Sequence, residues 1–245
     1  MTERGAQVPG VVAPADPVEE VGATRWILDE VAKGRAIPLI EGEAVVNSIF
    51  AEQKWAARPL LPLVPVRHPA EFVPVHAVNT AAMSMALAHS LRFDDASIRR
   101  IGLAALCHDV GMIRLSPELL QKGGQITPEE RERVMRHPVE GARFLFASDP
   151  SLDLAAVVAY EHHLGTDGSG YPKLIYPRTA HYVSRLVQVC SVFCALSSAR
   201  PYRPAWPHEV ILSYLSERSG FEFHPSLANS LTSMIQQFML ANAAA

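Results

Sequence analysis

The stretch IRRIGLAALCHDVG, residues 98–111, decides how the rest of this sequence is interpreted. Ile101 and Ala105 recur at helical spacing, and His108 continues the same stripe. Because such a stripe faces a core, we expect His108 to be buried, with Asp109 beside it at the helix end. A lone buried histidine is usually satisfied by core packing. Two adjacent buried titratable groups need a partner or a metal.

Helical signals continue on both sides of this stretch. Helices are predicted over about 18–33, 41–57, 180–199, 205–218 and 225–243, and no convincing alternating strand pattern is present. Thr127 before Pro128, with Glu130 in third place, is typical of a capping box at a helix start. His137 precedes Pro138, so one helix should end there and the next begin. The fold class predicted from these patterns is all-α.

Composition and charge indicate how the chain is divided and which classes of partner are not favoured. Its 245 residues divide into a tail (1–17), an N-terminal helical segment with a proline-rich connector (18–69) and a main domain (70–245). A net charge of −3 gives no general attraction to DNA or to an anionic membrane. No secretory signal or apolar run of membrane-spanning length is visible, and the three cysteines do not suggest a disulfide framework. We therefore expect a soluble, cytoplasmic protein.

The placement of the histidines points to a metal. The chain has ten of them, and five lie at predicted helix ends or on apolar faces: His76, His108, His137, His162 and His163. Imidazoles together with a carboxylate suit Zn, Fe, Mn or Ni. Two close ions can clamp the attacking and leaving oxygens of a phosphoryl group. The spacing alone leaves two interpretations open, a metal site and a set of core histidines.

Several sequence elements, taken in order, resemble those of HD-GYP domains. They are His108-Asp109-Val110-Gly111, His137-Pro138 followed by Gly141, His162-His163, Asp167-Gly168-Ser169-Gly170-Tyr171-Pro172, and Arg200-Pro201-Tyr202-Arg203. The resemblance covers about residues 70 to 215. It is specific because the motifs occur together, whereas the first doublet by itself would be a weak signal.

The resemblance implies an HD-type helical bundle with an N-terminal helical extension, acting as a metal-dependent phosphodiesterase of cyclic di-GMP or a related cyclic dinucleotide. The implied cofactor is one or two divalent ions, with Fe or Mn favoured. Carried over by position, the metal ligands are His76, His108, Asp109, His137, His162 and His163. Asp109 would bridge two ions, and His108 and Asp109 are the implied catalytic residues.

The same resemblance implies roles for two arginines and one loop. Arg200 and Arg203 would pair with substrate phosphates, although a solvated helix end explains both equally well. The loop residues expected to support the site and to meet a diguanylate-cyclase-type domain are Asp167, Gly168, Gly170, Tyr171 and Pro172. The sequence also leaves a homodimer open.

Four positions depart from the family pattern. Ser191 stands where the family has a metal-binding Asp, so one metal site should weaken. Met112 replaces a lysine that contacts substrate phosphate, and a thioether cannot donate a hydrogen bond. Cys194 replaces a second Asp, and Leu164 a frequent Glu. We interpret Cys194 as a core residue, with a thiolate ligand from Cys190 or Cys194 as the less favoured alternative.

Two hypotheses about function follow from these departures. The first is a cyclic di-GMP phosphodiesterase with weakened catalysis. The second is a catalytically degenerate domain that binds a cyclic dinucleotide or a protein partner in bacterial signalling. Because five enclosed histidines would be costly to keep without a metal, we expect metal to be retained and turnover to be weak or absent. A hydrolase of another nucleotide phosphate is a third, less favoured interpretation.

Overall fold

The computed structural model describes residues 18–53, 63–176, 178–200 and 203–243, and within these ranges it is helical with no β-strand. The helices are α1 (Val18–Ala32), α2 (Leu39–Glu52), α3 (Phe72–Ser90), α4 (Asp95–Cys107), α5 (Pro117–Leu120), α6 (Pro128–Val134), α7 (His137–Ser148), α8 (Asp153–Glu161), α9 (Tyr182–Leu196), α10 (His208–Glu217) and α11 (Pro225–Ala243). Short 3₁₀ turns span Pro69–Glu71, Val110–Arg114 and Pro150–Leu152. The predicted all-α class is confirmed. The predicted tail and the first part of the connector, residues 58–62, lie outside the described residues.

Helix starts are set by the local sequence signals. At the start of α6, the Thr127 hydroxyl accepts a hydrogen bond from the Glu130 amide (3.2 Å), and the Glu130 carboxylate accepts one from the Thr127 amide (2.7 Å). The Ser116 hydroxyl accepts from the Leu119 amide in the same way at the start of α5. Helix α7 begins at His137, one residue before the start predicted at Pro138. The two caps thus set the start of α5 and α6, which connect Asp109 to His137, whereas α7 begins with no side-chain cap.

Helix α3 lies at the centre of the molecule. It packs against α1, α4 and α9, and most of its residues are buried, including Ala81, Met85 and Leu87. A helix that is apolar on nearly all sides is expected in the interior of a bundle. His76 lies near its first turn, so the imidazole is delivered to the interior by the helix that is most enclosed.

Helices α1 and α2 belong to the same hydrophobic core as the rest of the described chain. Val31 of α1 and Val46 and Ile49 of α2 are buried in it. The N-terminal helical extension therefore packs against the bundle, and the boundary at residues 69 and 70 stays a prediction. None of the helices in the described ranges has the length and apolar character needed to span a membrane.

Candidate metal centre

The carboxylate of Asp109 lies between two pairs of imidazoles. Its Oδ2 is 3.8 Å from Nε2 of His76 and 3.5 Å from Nε2 of His108. Its Oδ1 is 3.1 Å from Nε2 of His137 and 3.4 Å from Nε2 of His162. All five side chains are buried. Each carboxylate oxygen thus faces its own pair of nitrogens, which is the arrangement expected of a carboxylate that bridges two cations.

Two groups of ligand atoms in the described chain are close enough to hold a cation. One is Asp109 with His137, His162 and His163, and the other is Asp109 with His76 and His108; within each group the candidate atoms lie within 4.8 Å of one another. We call the first the Oδ1 side and the second the Oδ2 side. The structure therefore brings together all six residues that the resemblance proposed as ligands.

Backbone carbonyls set the orientation of three imidazoles. Nδ1 of His108 is 2.7 Å from the carbonyl oxygen of residue 105, Nδ1 of His137 is 2.7 Å from that of residue 134, and Nδ1 of His162 is 3.0 Å from that of residue 159. A carbonyl oxygen only accepts hydrogen bonds, so Nδ1 of each ring is the donor. In the neutral form of each ring, Nε2 then carries no proton and is directed toward Asp109, as in metal-binding histidines.

This proton arrangement fits a cation at the centre. The Nε2 atoms of His137 and His162 are 3.3 Å apart, and both lie close to Oδ1 of Asp109. In the neutral form of these rings with the proton on Nδ1, all three atoms present lone pairs to one another and repel. A divalent cation that accepts these lone pairs removes the repulsion, and nitrogen with carboxylate oxygen suits a first-row transition metal.

Burial keeps the imidazoles of His76 and His108 neutral, and the surrounding groups keep the Asp109 carboxylate ionised. Burial, followed by the neighbouring His108, lowers the pKa of His76 to about 3. Burial also lowers the pKa of His108 to about 4, against the opposing effect of Asp109. Burial by itself would raise the pKa of Asp109, but the facing imidazoles hold that pKa well below its ordinary range. Near neutral pH, His76, His108 and Asp109 therefore have the protonation states that metal ligation requires.

Ser191 of α9 lies on the Oδ2 side, at the position where the family pattern has a carboxylate. Its hydroxyl oxygen is 3.1 Å from Nε2 of His76 and 3.3 Å from Nε2 of His108. A hydroxyl adds no negative charge, and its single proton can be donated to only one of the two rings at a time. Nδ1 of His76 has no hydrogen-bond partner in the described part of the chain, unlike Nδ1 of the three rings above. The Oδ2 side is thus both less charged and less firmly oriented.

The other departures occupy different surroundings. Cys190 and Cys194 are fully buried, and burial raises the pKa of Cys190 to about 12, so a thiolate is disfavoured there. Neither cysteine joins the two ligand groups found in the described residues. Met112 lies half-buried in the 3₁₀ turn, where its amide donates to the Asp109 carbonyl (2.8 Å). Leu164 is buried and pairs with Gly170 in an isolated bridge.

Two glycines allow the backbone approaches that build the Oδ1 side. A Cβ on Gly111 would lie 2.1 Å from the His137 carbonyl oxygen, so only glycine lets the first turn of α7 pack there. A Cβ on Gly170 would lie 2.0 Å from the His163 carbonyl oxygen, and Gly170 also has a positive φ of 85°. The glycines of both motifs therefore position histidines.

The loop at residues 166–172 supports the same side. The Tyr171 ring stacks on His163, with centroids 4.4 Å apart, and the Tyr171 amide donates to the His163 carbonyl (3.2 Å). Asp167 caps the turn by accepting from the Ser169 amide (2.9 Å), and its own amide donates to the Phe221 carbonyl (3.0 Å). The predicted non-helical loop is confirmed, and it holds His163 from one face.

The two arginines have different surroundings. The guanidinium of Arg200 lies 3.5 Å from the centre of the Phe72 ring, which stacks on His76 at 5.1 Å. Arg203 instead donates to backbone carbonyls of residues 195, 196 and 204 at 2.7–3.2 Å, around the end of α9. This favours the helix-end interpretation for Arg203. A phosphate contact stays a prediction for both, and the stack places Arg200 beside the centre.

Sequence reasoning missed Glu161, which is buried directly before the histidine pair. Its carboxylate accepts hydrogen bonds from the His181 amide (2.7 Å) and the Ser184 hydroxyl (2.8 Å), and it pairs with Arg178. These contacts tie the end of α8 to the start of α9, and so hold His162 in place. A carboxylate ending an otherwise apolar helix was the available signal.

Comparison with known proteins agrees with this geometry. A family model described as "HD domain" matches residues 47–236. The chain belongs to the HD domain family. The family predicted from the motifs is thereby confirmed, and the match includes every side chain of the Asp109 centre.

Curated relatives of this HD-domain chain include two bacterial proteins. It is 32% identical over 194 residues to the cyclic di-GMP phosphodiesterase PA4108 of Pseudomonas aeruginosa, covering 79% of this chain and 47% of that protein. It is 36% identical over 146 residues to the cyclic di-GMP phosphodiesterase response regulator RpfG of Xanthomonas campestris, covering 59% of this chain and 39% of that one. The chain thus spans less than half the length of these relatives.

A solved structure shows the same fold. Bd1817, described as a HDG"Y"P protein from Bdellovibrio bacteriovorus, superimposes with a TM-score of 0.66 at 18% sequence identity. The match covers 89% of this chain and 69% of that one. The helical arrangement that places the histidines around Asp109 is therefore one already seen in a solved protein.

Proposed function

We propose that this protein is a metal-dependent phosphodiesterase that hydrolyses cyclic di-GMP or a related cyclic dinucleotide. Its main support is the Asp109 carboxylate, each oxygen of which faces a separate pair of buried imidazole nitrogens. Two cations bridged in this way suit phosphoryl transfer, because they can stabilise both the attacking and the leaving oxygen. The names of PA4108 and RpfG support the class of substrate.

In this proposal the cofactor is one or two divalent ions, with Fe or Mn favoured. The Oδ1 side would hold the first ion and the Oδ2 side the second. A bound divalent ion would polarise a phosphate oxygen and lower the pKa of water. The chain itself keeps Asp109 ionised, directs three Nε2 lone pairs inward through backbone carbonyls, and presents Arg200 to a substrate phosphate beside His76.

The same proposal predicts weakened catalysis. Ser191 leaves the Oδ2 side with one carboxylate oxygen and no second negative charge, so an ion there should bind less tightly. Met112 cannot donate a hydrogen bond to a phosphate. His108 and Asp109 remain the proposed catalytic residues. The alternative is a domain that binds a cyclic dinucleotide or a protein partner without hydrolysis, and the following experiment distinguishes the two.

The test combines metal analysis with hydrolysis. The wild-type chain is purified, its metal content is measured by mass spectrometry, and cyclic di-GMP hydrolysis is followed with added Mn²⁺ or Fe²⁺. The matched variants are Asp109→Asn, at the centre, and Asp29→Asn, on the exposed face of α1. We expect bound metal and a linear dinucleotide or GMP product for the wild type and Asp29→Asn, and neither for Asp109→Asn.

Two results would contradict the proposal in different ways. Metal without product would favour the binding module. If neither the wild type nor the Ser191→Asp variant contains metal, the proposal of a metal-dependent function is wrong.

Partner and location belong to the proposal as well. The loop residues 167–170 are exposed, which leaves them accessible to a diguanylate-cyclase-type domain. A homodimer, the cytoplasmic location and the expectation of no DNA or membrane binding stay predictions from the sequence.

A further inference from the structure

A second feature beside the centre is a cleft of about 800 Å³ between the 111–122 segment and helices α6 and α7. We call it the Arg114 cleft. The lining residues that matter here are Gly111, Arg114, Leu115, Leu119, Arg133 and His137. A volume of several hundred Å³ is that of a small-molecule site and is far larger than a single phosphate needs.

Charges in the cleft favour an anionic ligand. Two of the cations that line it are already paired, Lys122 with Glu130 at 2.5 Å and Arg136 with Glu132 at 2.9 Å. Both Arg114 and Arg133 are exposed; Arg133 acts electrostatically on Glu130, whereas the Arg114 side chain has no hydrogen bond or ion pair within the described ranges. The lining also holds three carboxylates, Glu118, Glu130 and Glu140, against four cations, so its excess of positive charge is one. That excess and the donors of the two exposed guanidiniums favour an anion at Arg114 and Arg133.

The rest of the lining favours a nucleotide over a simple anion. Leu115 and Leu119, both half-buried, provide apolar surface on which a base can lie. A guanidinium forms paired hydrogen bonds with phosphate oxygens, and equally with the O6 and N7 atoms of guanine. The cleft thus combines a surface for a base with donors for a phosphate or a guanine edge.

Position links the cleft to the centre. His137, whose Nε2 faces Oδ1 of Asp109, also lines the cleft. Arg200, next to Phe72 and His76 on the Oδ2 side, is not among the residues that line the cleft. A cyclic dinucleotide has two phosphates and two bases. When one phosphate lies at the Asp109 centre, the other phosphate and its base must occupy a neighbouring part of the protein surface.

We infer that the Arg114 cleft binds the half of a cyclic dinucleotide that is not being cleaved, with Arg114 and Arg133 as its anion-binding and guanine-binding residues. The inference rests on the proposed function and adds substrate-binding residues to it. Arg114 is two positions after Met112 in the same 3₁₀ turn. It therefore supplies a positive charge to the segment in which Met112 replaces the lysine that the family resemblance implies.

The test measures binding separately from turnover. Titration calorimetry follows the binding of a hydrolysis-resistant phosphorothioate analogue of cyclic di-GMP to the purified full chain. The variants are Arg114→Gln, Arg133→Gln, the double variant, and Arg100→Gln as control, because Arg100 is an exposed arginine on α4 outside the cleft. Loss of charge-assisted hydrogen bonds is expected to raise the Kd of the double variant about tenfold or more, while Arg100→Gln matches the wild type.

Metal content and melting temperature of each variant are measured alongside, so that unfolding cannot imitate weak binding. If the double variant binds the analogue as tightly as Arg100→Gln does, the cleft assignment is overturned, even if the wild type hydrolyses cyclic di-GMP. If the wild type binds the analogue, loses that binding in the double variant and yet hydrolyses nothing, the cleft stands and the proposed hydrolysis fails. No binding by the wild type overturns the inference outright.

Discussion

The two sides of Asp109 use the same carboxylate and the same type of nitrogen ligand, but they are not equally complete. On the Oδ1 side, His137 and His162 are oriented by backbone carbonyls, and the loop stacks Tyr171 on the third imidazole, His163. On the Oδ2 side, Nδ1 of His76 lacks a described partner, and a serine hydroxyl stands in the carboxylate position.

This difference suggests how the Ser191 substitution can affect one side of Asp109 and leave the other unchanged. If Asp109 bridges two ions, the Oδ1 side would keep its ligands while the Oδ2 side weakens, because each oxygen faces a separate group of nitrogens. We therefore expect the chain to hold one ion tightly and a second ion poorly. The predictions below test that asymmetry, beginning with the largest expected effect.

His162→Ala and His76→Ala remove one imidazole from each side and should differ sharply. His162→Ala is expected to lower affinity for the tightly held ion by about 10²-fold or more, since even residues that only orient a ligand contribute about 10–100-fold. His76→Ala should leave that ion in place. Metal per chain, measured by mass spectrometry after dialysis, checks this. Equal metal loss in both variants would show that the two sides are not independent.

Ser191→Asp should complete the Oδ2 side. The new carboxylate would lie near His76 and His108, where it adds negative charge to the ligand set. We expect metal content to rise from about one to about two ions per chain, with hydrolysis increasing about tenfold if the second ion assists the reaction. Ser213→Asp, an exposed change on α10, is the control. Unchanged stoichiometry would mean that Ser191 is not what weakens the second site.

Met112→Lys separates a substrate defect from a metal defect. A lysine at this position in the 3₁₀ turn would supply an ammonium to a substrate phosphate without adding a metal ligand. We expect the KM for cyclic di-GMP to fall by a few-fold, on the order of one charge-assisted hydrogen bond, with metal content unchanged. A change in metal content instead would place residue 112 within the metal centre.

Acid should destabilise the metal-depleted protein through the Oδ2 side. His76 and His108 have folded-state pKa values of about 3 and about 4, below the ordinary 6.5, mainly because they are buried. Between these limits the unfolded chain binds more protons, so the free energy of unfolding falls as pH drops from about 6.5 toward 4 and is fully retained above 6.5.

The measurement is the melting temperature of chelator-treated protein at several pH values in this window. His76→Gln removes one of the titrating groups and should flatten the slope. A melting temperature that rose on acidification would contradict the assignment of neutral buried imidazoles.

Much of the fold could be predicted from local patterns. The capping box at Thr127, the helix junction at His137 and the loop at 166–172 all depend on interactions within a few residues, which sequence reports directly. The buried stripe ending at His108 was predictable for the same reason. Glu161 was not predicted, since its partners at 178, 181 and 184 are set by how α8 packs on α9.

The sequence by itself determined which residue types could form the centre and where each helix that bears them begins or ends. Only the tertiary structure decided which oxygen of Asp109 faces which pair of histidines, and that Ser191 lies between His76 and His108. It also separated Arg200, stacked beside the centre, from Arg203, bonded at a helix end. The physical reason is distance along the chain. Ser191 meets these histidines across 115 and 83 residues, and such contacts depend on helix packing that no local pattern records.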